Sequence, residues 1–517
     1  MIREVLRMER VTYKEQGQIC LDNFNITVQR GEIFGLVPVN YYGIDALFKL
    51  LVHNLPLHYG YVYYQERLVN QWQHPRESSN RISIIQNKSS LANDLRVTDN
   101  VFVLRKGFQK RILFSSMLRK QLQPFLDEIG INIPADRYVS ELSAFEKFVV
   151  ELLKAIVAGN HLIVLEDIGS FISESELERL HGIIRYYAEK GFSFLYIVPH
   201  FEEANQLCDR MALMVNGKII KCFRTGDTIP VTFPVRSVED YDNWVRTQLT
   251  LRQKEREMQA VLTMEGVCYD KLRGFNLRIA PGECVVLQDL DNAIVSDFID
   301  LFQGEKPERG TFILDGGKQL RKRNRDLAVI QELPTETMIY EGMSYFDNLC
   351  MNMDHRVNGV WYQKGIRKSI KHEYKDLLGE DVFDSNVKYL SAKQKYDLVY
   401  TRIYLQQPKV VLCIQPFKNA EVSLRSHIWE LLERFLSRKI AVIIMAVNLA
   451  DSLALADRLI RIKHGSVQEV YDKEDFLKLP IHTPWLHLYQ ERYAMKKEIS
   501  KKEYPYQQKH QRKRFLF

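Results

Sequence analysis

In this 517-residue chain, residues that could do chemistry stand where apolar runs end. Glu166 and Asp167 follow LIVL, Gln86 follows ISII, and His200 closes FSFLYIVP. The loop PVNYYGID, Pro38 to Asp45, follows another apolar run and carries Gly43 and Asp45. Carboxylates, an amide and an imidazole at strand ends can assemble a polar site, because sheets of alternating strands and helices carry ligands at the carboxyl ends of their strands. Taken singly, each has a plainer reading: Gln86 and His200 as satisfied polar residues, Gly43 as a turn glycine. Competing chemistries lack their signatures. The histidines are dispersed, and no HExxH, Ser/His/Asp context or metal spacing is present. The seven cysteines are scattered without a CxxC pair, so a reducing compartment and no structural zinc are expected.

The elements that must position these residues come in two sets. GEIFGL at Gly31 pairs with GECVVL at Gly282, LSAFEK at Leu142 with LSAKQK at Leu390, LIVLED at Leu162 with VVLCIQ at Val410, and CDRMALMVNGKI at Cys208 with ADRLIRIKHGSV at Ala456, at offsets of 251, 248, 248 and 248 residues. So constant a spacing means two homologous domains and not a solenoid. The expected boundaries are 1–225 and 261–475, with a linker 226–260, where WVRTQLTLRQKERE reads as a helix, and a tail 476–517. Within a copy, the apolar runs Ile33 to Val37, Leu162 to Leu165, Phe194 to Val198 and Met211 to Val215 alternate with helical periodicity such as SELERLHGIIRYYAEKG, which stops at Gly191 as at a C-cap. This predicts an α/β fold with a mainly parallel sheet.

Composition sets outer bounds. With 46% hydrophobic and 26% charged residues the chain is a folded one. The net charge of +7 is nearly all local, since residues 496–517 carry eight basic side chains against two acidic ones, and a near-neutral body argues against a whole-surface nucleic-acid binder. The N-terminus MIREVLRMERV lacks an apolar core of signal-peptide length, and the longest aliphatic run, Ile440 to Val447, falls far short of the roughly 20 residues that span a bilayer. Neither secretion nor membrane integration is expected.

The ordered landmarks resemble an ATP-binding cassette ATPase, found twice. EDIGSFISESELERLHGIIRYYAEKGFSFLYIVPHFEEANQLCDRMALMVNGKII is similar to the tandem-cassette ATPases of bacterial monosaccharide importers, and NVKYLSAKQK, LQQPKVVL and LADSLALADRLIRIKHGSV have the spacing of that family's second cassette. The resemblance spans residues 5–225 and 260–475 and implies two P-loop NTPase domains in tandem, each with a helical subdomain.

The family's chemistry needs glycines whose N–H groups approach a triphosphate, a Lys on the terminal phosphates and a Ser or Thr on magnesium. In the first loop Ile44 stands at the Lys place and Asp45 at the Ser/Thr place, with Gly43 kept. Hydrogen bonds to charged groups contribute about 1.5–3 kcal/mol each, so losing the Lys and two backbone contacts costs about 4–8 kcal/mol. A micromolar site then becomes millimolar or worse. By resemblance, Gln86 matches the magnesium and water contact, Glu166 and Asp167 match the metal acid and general base in exchanged order, and His200 matches the γ-phosphate switch. Magnesium, if held, falls to Asp45, Gln86 and Glu166. In the second loop, DLDNAIVS, no glycine remains, Val295 replaces the basic residue, Ser296 keeps its place, and two acids face where phosphates would sit. Ile414 and Gln415 replace both acids, and Asn448 takes the switch position.

Each nucleotide of the family is sandwiched between one loop and the other copy's LSGGQ-type signature, here LSAFE and LSAKQ. Ser143 and Ser391 are candidate caps and nucleotide contacts, Phe145 is expected to obstruct approach, and Lys393 is expected to neutralise a phosphate or pair with Asp45. The resemblance also implies a membrane permease met by the segments after Gln86 and Gln331, and a peripheral place at the inner face of the cell membrane. The basic, aromatic tail suits an anionic membrane; the short interdomain region argues against a ribosomal role. The expectation is thus a tandem cassette of the sugar-importer type acting as a pseudo-ATPase partner of a transporter or sensor complex, with weak or lost ATP and magnesium at the first site and none at the second. The alternative is a working importer subunit hydrolysing ATP at its first composite site.

Overall fold

The computed structural model describes residues 3–15, 17–86, 88–103, 115–199, 201–225, 260–314, 318–319, 325–351, 353, 362–379, 381–418, 420, 422–447 and 449–479. The linker helix, the tail beyond Leu479, His200 and Asn448 lie outside them. The chain divides into two compact units at Pro234/Val235.

Two hydrophobic patterns build the first unit. Alternation in β1 (Glu4–Glu15) and β2 (Gln18–Gln29) makes strands with one covered face, and with β4 (Tyr59–Tyr64) and β5 (Arg67–Gln71) they form an antiparallel sheet of order β2-β1-β4-β5. Near-continuous apolar runs make strands buried on both faces: β3 (Ile33–Pro38), β7 (Leu162–Glu166) and β8 (Ser193–Ile197). With β6 (Ile82–Ile85), β9 (Arg210–Val215) and β10 (Lys218–Arg224) they form a sheet of order β10-β9-β3-β8-β7-β6, parallel except at the β10–β9 hairpin. Between the sheets lies the helix Ile44–Val52. Its Ile44, Leu47, Leu50 and Leu51 join Leu6, Met8, Leu36 and Val164 in one core, each buried side chain contributing about 1.5–3 kcal/mol.

The second unit repeats this order. β11 (Leu262–Tyr269), β12 (Leu272–Ile279), β14 (Arg309–Leu314) and β15 (Lys318–Gln319) give β12-β11-β14-β15. β13 (Cys284–Asp289), β16 (Leu327–Ile330), β17 (Val410–Ile414), β18 (Ala441–Ala446), β19 (Arg458–Lys463) and β20 (Ser466–Asp472) give β20-β19-β13-β18-β17-β16, strand for strand the first unit's order. Its core likewise joins both sheets to the helix between them, through Met264, Phe275, Phe298, Leu412 and Ile443. A separate cluster around Tyr345, Ile370, Phe383 and Leu398 holds its helical subdomain. In the first unit, the helix Glu174–Glu189 is closed at Gly191, whose N–H donates to Ala188. Among the described residues, no helix is long and apolar enough to cross a membrane.

Candidate functional site

The first loop runs from β3 into the helix Ile44–Val52. That helix is amphipathic, and its register decides which loop residues face solvent. Ile44, at the Lys place, is turned into the core at 1% exposure, while Asp45 is exposed. Gly43 adopts a left-handed backbone with φ +88°, and an added Cβ would lie 2.4 Å from the Cys20 carbonyl oxygen of β2. Its glycine is thus demanded by the left-handed backbone and by packing together. Asn40 ties the loop to the β9–β10 turn, its Nδ2 donating to Asn216 Oδ1 at 2.7 Å and its Oδ1 accepting from the Asn216 N–H at 3.2 Å.

At the end of the neighbouring strands, Gln86 Nε2 donates to Glu166 Oε2 at 2.5 Å. Burial raises the Glu166 carboxyl above its ordinary range; the Gln86 bond opposes this, and the charges of Asp167 and Asp45 add to it. Asp167 is 6% exposed and sits in the left-handed region at φ 41°, its N–H donating to Ile197 at 2.8 Å. Gln415 repeats this in the second unit, with φ 43° and its N–H donating to Met445 at 2.9 Å. Such a conformation costs on the order of 1–3 kcal/mol in a non-glycine residue, so both copies hold the same strained strand end. The structure thus brings Asp45, Gln86, Glu166 and Asp167 of the first unit into one electrostatic neighbourhood. His200 lies outside the described residues.

This neighbourhood holds three acids and one amide. The residues present do not fit a magnesium nucleotide bound in the family manner: the Lys place is core, the Ser/Thr place is a carboxylate that repels phosphate, and Gln86 and Glu166 satisfy each other. Among the described residues, no three His, Cys, Asp or Glu side chains stand together to hold a metal.

In both units the signature serine caps a helix. Ser143 Oγ accepts from the Glu146 N–H at 3.2 Å while Glu146 Oε2 accepts from the Ser143 N–H at 2.8 Å. Ser391 and Gln394 repeat this capping box at 3.3 and 2.9 Å. Phe145 does not stand in the way of an approaching group: it is 4% exposed, with the Arg179 guanidinium 5.3 Å above its ring. The apolar side chain is drawn inward where the sequence had suggested an obstruction. Lys393 is exposed and lies within electrostatic reach of His427 and Glu430 in its own unit.

The second loop corrects a further expectation. Its acids do not face an incoming phosphate. Asp289, 1% exposed, turns back into the loop and accepts from the N–H groups of Asp291, Ala293 and Ile294 at 3.3, 2.6 and 2.8 Å. Burial, with the Asp291 charge adding to it, holds its carboxyl above the ordinary range against the pull of these three donors. Asp291 Oδ2 accepts from the His464 N–H at 2.5 Å, the counterpart of the Asn40–Asn216 tie. Asp297, which sequence reasoning passed over, accepts from the Lys271 and Leu272 N–H groups at 2.9 and 3.1 Å, and Ser296 Oγ donates to it at 3.3 Å. The available signal was an Asp in the first turn of a helix, a residue type prone to bond backbone N–H groups.

Comparison with known proteins places this geometry. The ABC transporter family matches residues 21–168. The ribose import ATP-binding protein RbsA of Clostridium perfringens (strain SM101 / Type A) is 22% identical over 92% of this chain and 98% of its own length. The galactose/methyl galactoside import ATP-binding protein MglA of Mannheimia succiniciproducens is 21% identical over 92% and 97%. Among solved structures, archaeal ABCE1 bound with Pelota to the ribosome matches 91% of this chain and 80% of its own with a TM-score of 0.58 at 15% identity, and the complex of archaeal recycling factor aABCE1 with stalk protein aP1 matches 91% of each at 0.57 and 14%. At such identities these structures attest the fold alone. The landmarks recur in order, the sheets recur strand for strand, and the chain carries an ABC transporter match over residues 21–168 and is similar nearly end to end to the ribose and galactose import ATP-binding proteins.

Proposed function

We propose that this tandem cassette works by binding and not by ATP turnover, as a regulatory or structural partner of a membrane transport or sensing complex. The burial of Ile44 beside an exposed Asp45 carries the reading, since it removes the loop's cation and adds an anion at the same place. The partner is a permease-like membrane protein engaged through the segments after Gln86 and Gln331, which puts the chain at the inner face of the membrane, with the basic tail touching anionic lipid. The relatives' names, import ATP-binding proteins, support that partnership.

A second reading rests on the Gln86–Glu166 pair, which keeps the strand-end polar groups together. On it, the chain hydrolyses ATP at the first site, with Glu166 or Asp167 as base and His200 as switch. Calorimetric titration with Mg·ATP, run beside a phosphate-release assay, separates the two. No binding at millimolar ATP and no release supports the first reading. Turnover comparable to transport ATPases that is abolished by His200→Ala overturns it in favour of the second.

A further inference from the structure

The second loop and the start of the helix Val295–Gln303 gather backbone N–H groups that an isolated helix start leaves without partners, and whose dipoles favour an anion. One buried carboxylate already meets three of them. Asp289 Oδ2 takes the Ala293 and Ile294 N–H groups, and Oδ1 takes that of Asp291. The two neighbouring acids are equally committed, Asp291 to His464 and Asp297 to Lys271 and Leu272. A phosphate entering here would have to expel a buried carboxylate and face two fixed ones. The arrangement belongs to the second unit only: the repeat offset puts Pro38, which has no acceptor in its side chain, at the place of Asp289 in the first.

We infer that the Asp289 carboxylate is an intramolecular surrogate for phosphate, holding the second loop in a filled geometry with no nucleotide present. The second cassette then presents one loop conformation to its partners whatever the nucleotide supply. The inference rests on reading that cassette as non-hydrolysing and names what occupies its site.

Backbone amide hydrogen exchange of residues 290–296 in the full-length chain, with and without millimolar pyrophosphate, tests it. The wild-type segment is expected to be protected and indifferent to pyrophosphate. Asp289→Gly should exchange about tenfold faster or more, since lost hydrogen bonds open the loop locally, and pyrophosphate should restore its protection. Asp289→Asn, which keeps the shape and one acceptor, should fall between and decides the matter if the glycine variant does not fold. A wild-type segment as open as free loop, or one whose protection rises with pyrophosphate, overturns the inference. So does a glycine variant that pyrophosphate leaves unprotected, because the carboxylate then braces the loop without standing for an anion. Phosphate release from the first site would overturn the non-hydrolysing reading of the chain and leave this exchange pattern intact.

Discussion

Gly43 shows how one residue type serves two different ends. In a phosphate loop a glycine lets backbone approach a ligand; here the space its missing Cβ leaves is taken by the Cys20 carbonyl, 2.4 Å from where that atom would be. Gly43→Ala therefore combines a positive-φ penalty with a backbone clash and should destabilise by about 2–4 kcal/mol. Urea denaturation of the full chain measures this, and a loss under about 1 kcal/mol would show that the loop relaxes around the methyl group. At this scale the sequence is partly legible. Gln86 and Glu166 can each be put at a strand end from their order along the chain, but their direct bond depends on β6 lying beside β7. Asp289 cannot be read, since a carboxylate that repels phosphate and one that replaces it are the same letter, and only the loop's backbone path decides which way it turns. The obstruction expected of Phe145 fails for a like reason: the helix register draws its ring inward.

At the scale of elements, the paired signatures are helix starts before they are anything else. Each serine and its partner three residues on satisfy two backbone donors reciprocally, through Glu146 in one unit and Gln394 in the other. Removing an N-cap hydroxyl costs about 1 kcal/mol. Ser143→Ala and Ser391→Ala should each lower stability by that amount, equally with and without Mg·ATP, as read by chemical denaturation. A larger loss only when nucleotide is present would assign the serine to the ligand as well as to the cap. These helix starts, the strand runs and the repeat offsets are readable from the letters because period and capping are local properties of sequence. The capping partners follow from spacing alone. The ties of Asp297 to Lys271 and Leu272 are not readable, because they join residues brought close only by the pairing of β11 with β12 and the packing of the following helix.

Across the whole molecule, each unit buries one imidazole, and the two are shifted in opposite directions. In the first, burial alone pushes the His181 imidazole down to about 4. The unfolded chain then takes up a proton that the folded unit refuses, so stability is lost as pH falls from about 6.5 toward that value, by no more than about 1.4 kcal/mol per pH unit. In the second, His427 is 7% exposed, and burial pulls it down, but the bond to Asp397 at 2.7 Å and the Glu430 carboxylate 3.5 Å from Nδ1 outweigh burial and the nearby Lys393 charge, so the group is held above its usual value. Its contribution is complete below about pH 6.5 and is lost as pH rises through the raised folded value. On acidification from neutrality the His181 contribution should therefore weaken the first unit, and the His427 contribution should spare or strengthen the second. Thermal unfolding followed from about pH 5.5 to 8, a range that brackets the free histidine value, with His181→Gln and His427→Gln beside wild type, separates the contributions. The His181 variant should lose less than wild type on the acid side, and the deficit of the His427 variant should shrink as pH rises. If both variants instead run parallel to wild type across the range, neither imidazole titrates differently on folding, and the opposed contributions assigned to them are wrong.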